Sequence, residues 1–276
     1  MSGPLLAVDG DSFAHRAYHA LPRSIKRGDG KPANMLVGWT DMVVRLWELE
    51  RPRAIVAAWD SLAHPTYRHE ALAVYQSGRE FADDLLEQLD LLPACATAMG
   101  FVNAKAPGYE ADDFLAAAAA HADGEVLVAS GDRDSFQLAS DRVTILFPIK
   151  GVSQIARVGP AEVRERYGVE PEQVPDFIAL RGDPSDRIPG APGVGPKKAA
   201  DLLREHGTLE AALVAGRFAP QADELRLYRR IAQLDASAPL PPLDDQTPTW
   251  AEASEFFRGL GINRLAARLE GLARSS

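Results

Sequence analysis

Three short, unbroken apolar runs punctuate the first half of the chain, and each is closed by an acid. Pro4–Val8 runs into Asp9, Ala54–Trp59 into Asp60, and Val126–Gly131 into Asp132 and Asp134. Runs of this length without polar alternation are characteristic of parallel strands covered on both faces. A further strand is predicted at Val143–Phe147. Helical periodicity fills the intervals: a helix is predicted over Asn34–Leu49, and a helical stretch from Tyr67 to about Met99 aligns Phe81, Leu85, Leu86, Leu89 and Leu92 on one side. Another helix is predicted from near Glu110 through the alanine block to His121. The segment after Asp9, through Gly28, Gly30 and Pro32, reads as a polar loop. The alternation predicts an α/β fold whose mostly parallel central sheet is flanked by helices through right-handed crossovers. From about Gly159 the pattern is helical and punctuated by Pro, Gly and Arg, so the chain divides into an α/β region at 1–155 and a helical region at 156–276.

The acids follow the strand ends. Asp9, Asp60, Glu110, Asp112, Asp113, Asp132, Asp134, Asp183 and Asp186 stand in short clusters spread along the chain. In an open α/β sheet the carboxyl ends of the strands line the ligand crevice, so acids placed there converge. Glu110 and Asp113, three apart, share a helix face, and Asp112 is reachable where the first turn frays. So many carboxylates in one site call for divalent cations, and all-oxygen ligation favours magnesium or manganese. The chain carries a formal charge of −9, and setting these nine acids aside leaves it balanced. Asp11, Asp83 and Asp84 read instead as turn formers or helix caps.

Composition narrows the setting. A single cysteine, Cys95, excludes a disulfide framework and reads as a buried small hydrophobe. No apolar stretch approaches the roughly 18 residues of a membrane span, so a cytoplasmic, monomeric protein without membrane contact is expected. The histidines show no metal-ligand spacing.

A second segment, Gly190–Ala200, places glycines around Val194 and Pro196 where a helix would begin. Glycines let backbone N–H groups approach a phosphate oxygen, the helix N-terminus attracts the same anion, and Lys197 and Lys198 add charge. The alternative is a plain interhelical turn with solvated lysines.

Together, Val8-Asp9-Gly10, Trp59-Asp60, Gly108–Asp113, Gly131–Asp134, Gly182–Asp186 and Gly193–Lys197 resemble the bacterial 5′-nuclease family, which includes the N-terminal 5′-nuclease domain of DNA polymerase I and stand-alone flap endonucleases. The match follows the family's order over most of the chain, and the stand-alone form is expected. The resemblance implies a PIN-like nuclease fold acting on DNA with a 5′ flap or 5′ end. It implies that Asp9, Asp60, Glu110, Asp112, Asp113 and Asp132 serve one metal, and Asp134, Asp183 and Asp186 with Asp132 a second. Gly193, Gly195, Lys197 and Lys198 would belong to a helix–three-turn–helix near 188–206 that grips the duplex backbone, often around a potassium ion. A helical arch is implied near 67–99, with Tyr75 and Gln76 as DNA contacts. There the chain departs from the pattern. Many relatives carry lysine at the position of Gln76, so Arg79 or Arg68 would stabilise the phosphate. Arg187 likewise replaces a common asparagine.

Two cations about 4 Å apart can activate water and stabilise the leaving oxyanion of a phosphodiester. Arg68 or Arg79 could add bidentate phosphate contact, and Tyr75 could stack on a base or simply pack a helix. Two other readings compete with a metal-dependent 5′-nuclease. A DNA-binding protein of the same fold with weakened catalysis is compatible with Gln76. A haloacid-dehalogenase-like phosphatase fits Asp9-Gly10-Asp11 but leaves Glu110–Asp113 and the glycine-lysine segment unexplained.

Overall fold

In the computed structural model of the chain, residues 3–61, 64–78, 80–150 and 154–275 are described; Arg79 lies outside them. In chain order the elements are β1 (Leu5–Asp9), α1 (Gly10–Ala20), α2 (Asn34–Glu50), β2 (Ala54–Ala58), α3 (Tyr67–Ala71), α4 (Asp83–Ala98), β3 (Val102–Ala104), α5 (Ala111–His121), β4 (Val126–Ala129), β5 (Val143–Lys150) and β6 (Gln154–Val158). Helices α6 (Pro160–Tyr167), α7 (Val174–Arg181), α8 (Pro196–His206), α9 (Leu209–Val214), α10 (Ala222–Ala232), α11 (Trp250–Gly259) and α12 (Asn263–Ser275) follow.

Among the described residues the sheet has six strands in the order β3-β2-β1-β4-β5-β6. The first five run parallel, and β6 returns antiparallel to β5. The chain builds outward from β1 to β3 and then crosses to β4 on the other side of β1. The carboxyl ends of β1 and β4 therefore flank a topological switch point, with that of β2 next to β1, where such sheets open a ligand crevice.

Alternation along the strands divides the core into two layers. Leu5, Ala7, Val56, Val128 and Ile145 pack on the side of α5, and that cluster continues without a break through Phe177 and Leu180 of α7 to Leu203 of α8. Leu6, Val8, Ile55, Ala57 and Leu127 face α1, α2 and α4. Trp250, Phe257, Leu265 and Leu269 of α11 and α12 complete this second layer, and Arg268 of α12 pairs with Asp41 and Glu48 of α2. The C-terminal hairpin thus covers the α/β region, and the expected boundary at 155/156 falls inside β6.

Two local departures bear on the site. The expected loop after Asp9 is helix α1, because Asp9 accepts the Ser12 N–H at 2.9 Å as its N-cap and Phe13, Ala14, Ala17 and Tyr18 form its buried stripe. The expected continuous helical stretch over 67–99 is two helices. Gln76 and Gly78 adopt positive φ, of 47° and 75°, which a right-handed helix cannot contain.

Candidate active site

A cavity of about 660 Å³ opens at the switch point, walled by Asp9, Asp60, Glu110, Asp112, Asp132, Asp134 and Asp186. Each acid is held at its own wall. Asp9 is 4% exposed and accepts from Ser12 N and, at 2.6 Å, from the Ser130 hydroxyl. Asp60 accepts from the Ala111 N–H at 2.7 Å, which joins the end of β2 to the first turn of α5. Glu110 accepts from the Thr66 hydroxyl at 2.9 Å and the Tyr75 hydroxyl at 3.0 Å, both reaching in from the segment between β2 and α4. Asp132 accepts from the Asp134 N–H at 3.0 Å, and the Asp132 N–H donates to Ser130.

The electrostatics show a ring short of positive charge. Burial, opposed in part by its hydrogen bonds and reinforced by Asp60 and Asp132, pushes Asp9 up to about 7. Glu110 is likewise raised to about 7, chiefly by burial. Asp112 lies well above the usual carboxylate range, from burial and then from Asp9, Asp132, Asp60 and Asp134. Asp134 is raised by burial and then by Asp132, Asp186 and Asp183, with Arg181 opposing. One oxygen of Asp112 is buried with no hydrogen-bond partner among the described residues. Among the described residues no three such groups yet close on one point. The donors, all hard oxygens that repel one another, fit divalent cations.

Two expected acids, Asp113 and Asp183, do not wall the cavity, and Arg68 lines it from within an ion pair. Asp113 is fully buried and receives two hydrogen bonds from Arg68, at 2.9 and 2.6 Å, plus the Glu110 and Asp235 N–H groups. Arg68, 2% exposed, also donates to the Ile231 carbonyl at 3.0 Å. Its guanidinium lines the cavity while held in place by Asp113 and the Ile231 carbonyl. Asp183 is paired with Arg181 at 3.0 Å and accepts from Ser185; it does not wall the cavity.

Asp11, expected to be a cap or turn former, is a member of the site. It walls the cavity, accepts from the Asp60 N–H at 2.7 Å, and is raised well above its ordinary range by burial and then by Asp60. Its place two residues after Asp9, in the Asp9-Gly10-Asp11 run at the end of β1, was the signal in the sequence.

Tyr75 is buried, and its hydroxyl also accepts from the Gln76 side chain at 2.9 Å. Gln76 donates in addition to Asp186 at 3.2 Å, so the segment after α3 bridges Glu110 and Asp186 across the cavity. One loop, from Gly182 to Gly195, carries Asp183 and Asp186 at its start and the glycine-lysine segment at its end. Gly182 and Gly190, both at positive φ, meet so closely that a Cβ on Gly190 would lie 2.4 Å from the Gly182 nitrogen. Gly195 precedes Pro196 at the start of α8, and Gly193, Lys197 and Lys198 are exposed around that helix end.

Comparison with known proteins places this arrangement. The model of the 5′-3′ exonuclease N-terminal resolvase-like domain matches residues 4–168, and that of the 5′-3′ exonuclease C-terminal SAM fold matches residues 169–254. The chain belongs to the 5′-3′ exonuclease family. It is 43% identical over 212 residues to DNA polymerase I of Mycobacterium tuberculosis, covering 75% of this chain but 23% of the polymerase. The chain therefore spans about a quarter of the length of such relatives. A 5′-3′ exonuclease of Streptomyces coelicolor is 38% identical over 218 residues, covering 74% of this chain and 72% of that protein. Among solved structures, T5 5′-exonuclease with bound zinc superposes with a TM-score of 0.69 at 19% identity, over 98% of this chain and 99% of that one, a likeness of fold.

Proposed function

We propose that this protein is a divalent-metal-dependent 5′-nuclease that hydrolyses DNA phosphodiester bonds at 5′ flaps or 5′ ends. The observation that carries the reading is the convergence of carboxylates from five separate segments on one cavity at the switch point, with a buried oxygen on Asp112 that has no partner among the described residues. Membership of the 5′-3′ exonuclease family supports it, as does the zinc bound by the T5 enzyme of like fold.

Asp9, Asp60, Glu110, Asp112, Asp132, Asp134 and Asp186 would hold magnesium or manganese. When bound, such ions would acidify a water and offset charge on the departing oxyanion. The protein's own groups do the rest. Ser12, Ser130, Thr66 and Tyr75 aim the carboxylates through the hydrogen bonds described above, and Arg68 with Asp113 fixes α5 beneath them. Gly193, Gly195, Lys197 and Lys198 are assigned to the duplex backbone, with potassium as the ion suited to carbonyls of that turn. The protein is taken to act as a cytoplasmic monomer.

The test is a labelled 5′-flap duplex incubated with purified protein, with and without manganese, and product lengths resolved. Metal-dependent release of the flap supports the reading. An intact substrate at saturating metal overturns it.

A further inference from the structure

The return from Asp183 to Ile188 is a tight turn closed by a pair of main-chain hydrogen bonds of 2.8 Å in both directions. Its last residue, Arg187, stands in the left-handed region at φ 57°. Turn chemistry calls for glycine or asparagine there, because a Cβ crowds the backbone and a long side chain offers no local hydrogen bond in return. Strained residues of this kind persist where the side chain has a task.

The other arginine in the left-handed region, Arg51, ends α2 and lays its guanidinium over Trp47 at 4.6 Å. Arg187 has no such ring and no ion pair among the described residues. Its guanidinium reaches across to Gly78, where a Cβ would lie 3.0 Å from Nη2. Glycine at 78 therefore leaves room for it. Of the described arginines nearby, Arg181 is committed to Asp183 and Arg68 to Asp113. Gln76, which bridges to Asp186, is neutral. An exposed cation thus stands immediately beside an acid of the ring, between the turn and the segment after α3.

We propose that Arg187 contacts a backbone phosphate of the DNA strand where it enters the cavity, holding that strand beside Asp186. This rests on the nuclease reading. A guanidinium is suited to the role because its planar fork engages two phosphate oxygens at once. The strain in the turn is retained because asparagine, which would relieve it, carries no charge.

The experiment compares wild type with Arg187→Asn and Arg187→Lys on a 5′-flap duplex, reading single-turnover rate at saturating manganese, thermal unfolding and the salt dependence of DNA binding. Arg187→Asn is expected to slow cleavage roughly ten- to a hundredfold, the range for one lost hydrogen-bonded contact to a charged group. It should also lower the binding slope by about one phosphate contact, while melting at the wild-type temperature or above. Arg187→Lys should retain the slope. A merely structural residue would lower the melting temperature and leave the slope alone, which would overturn the proposal, as would a rate within about twofold of wild type. The salt slope is also read in an Asp134→Ala background with and without Arg187→Asn. If wild type fails to cut, the nuclease reading falls while the slopes still judge Arg187; if wild type cuts and both Arg187 readouts stay put, only the Arg187 proposal falls.

Discussion

Arg68 and Asp113 grip each other through two parallel hydrogen bonds of 2.9 and 2.6 Å, with their side chains 2% and 0% exposed. The pair ties α3 to α5, and the further bond from Arg68 to the Ile231 carbonyl ties both to the end of α10. Glu110, which caps α5, lies 3.4 Å from the same guanidinium. The carboxylate ring thus rests on a buried ion pair that joins the sheet region to the helical region.

Breaking that pair from one side leaves a buried charge without a partner, which typically costs about 3–5 kcal/mol. Arg68→Ala is therefore expected to destabilise the fold by this amount in urea unfolding, with Asp113→Ala added in the same chain recovering part of the loss. If Arg68→Ala unfolded at the wild-type urea concentration and lost only cleavage rate, the guanidinium would be acting on substrate instead.

Asp134→Ala should abolish cleavage while DNA binding survives or strengthens, because in the proposed role this acid would hold metal and repel phosphate. Asp132→Ala should behave alike. Electrophoretic binding and single-turnover cleavage on one substrate separate the two effects. Activity within tenfold of wild type, about 1.4 kcal/mol on the barrier, would remove these residues from the metal site.

The raised acids make a prediction about pH. Asp9 and Glu110 sit near 7 in the folded chain against about 4 when unfolded. Between those values the folded state binds more protons than the unfolded one, so stability falls as pH rises through this window. Metal-free protein should accordingly melt lower at about pH 8 than at about pH 5, and saturating magnesium or manganese should shrink the difference by neutralising the ring. Scanning calorimetry with and without chelator checks it; a metal-free protein that melts higher at the alkaline end would contradict the burial of these carboxylates.

At the glycine-lysine segment, Lys197→Ala with Lys198→Ala should weaken binding to all duplex sequences alike. The slope of log affinity against log salt should flatten by roughly one unit per lost contact. An unchanged slope would return both lysines to the role of solvated charges beside a turn.

Strands β1, β2 and β4 were legible because a strand covered on both faces cannot alternate, and an unbroken apolar run of that length has few other uses. Strand β3 was not, since its Val102 and Asn103 are only half-buried, and neither was β6, where only Val158 is buried and Gln154 and Arg157 are exposed at the sheet edge. Helix α1 was hidden by Gly10-Asp11-Ser12, which reads as a turn until Asp9 is seen capping it.

The sequence by itself determined that acids follow the strand ends, and parallel pairing then brings those ends together whatever the intervening chain does. Which acid faces which partner was decided only by the tertiary structure. Asp112 and Asp113 are neighbours in sequence, but a helix turns about 100° per residue, so they point apart. Asp112 turns into the ring with an oxygen unpartnered among the described residues, while Asp113 turns to an arginine 45 residues away in sequence. No local pattern carries that distinction, because it depends on where α3 and α10 come to rest against α5.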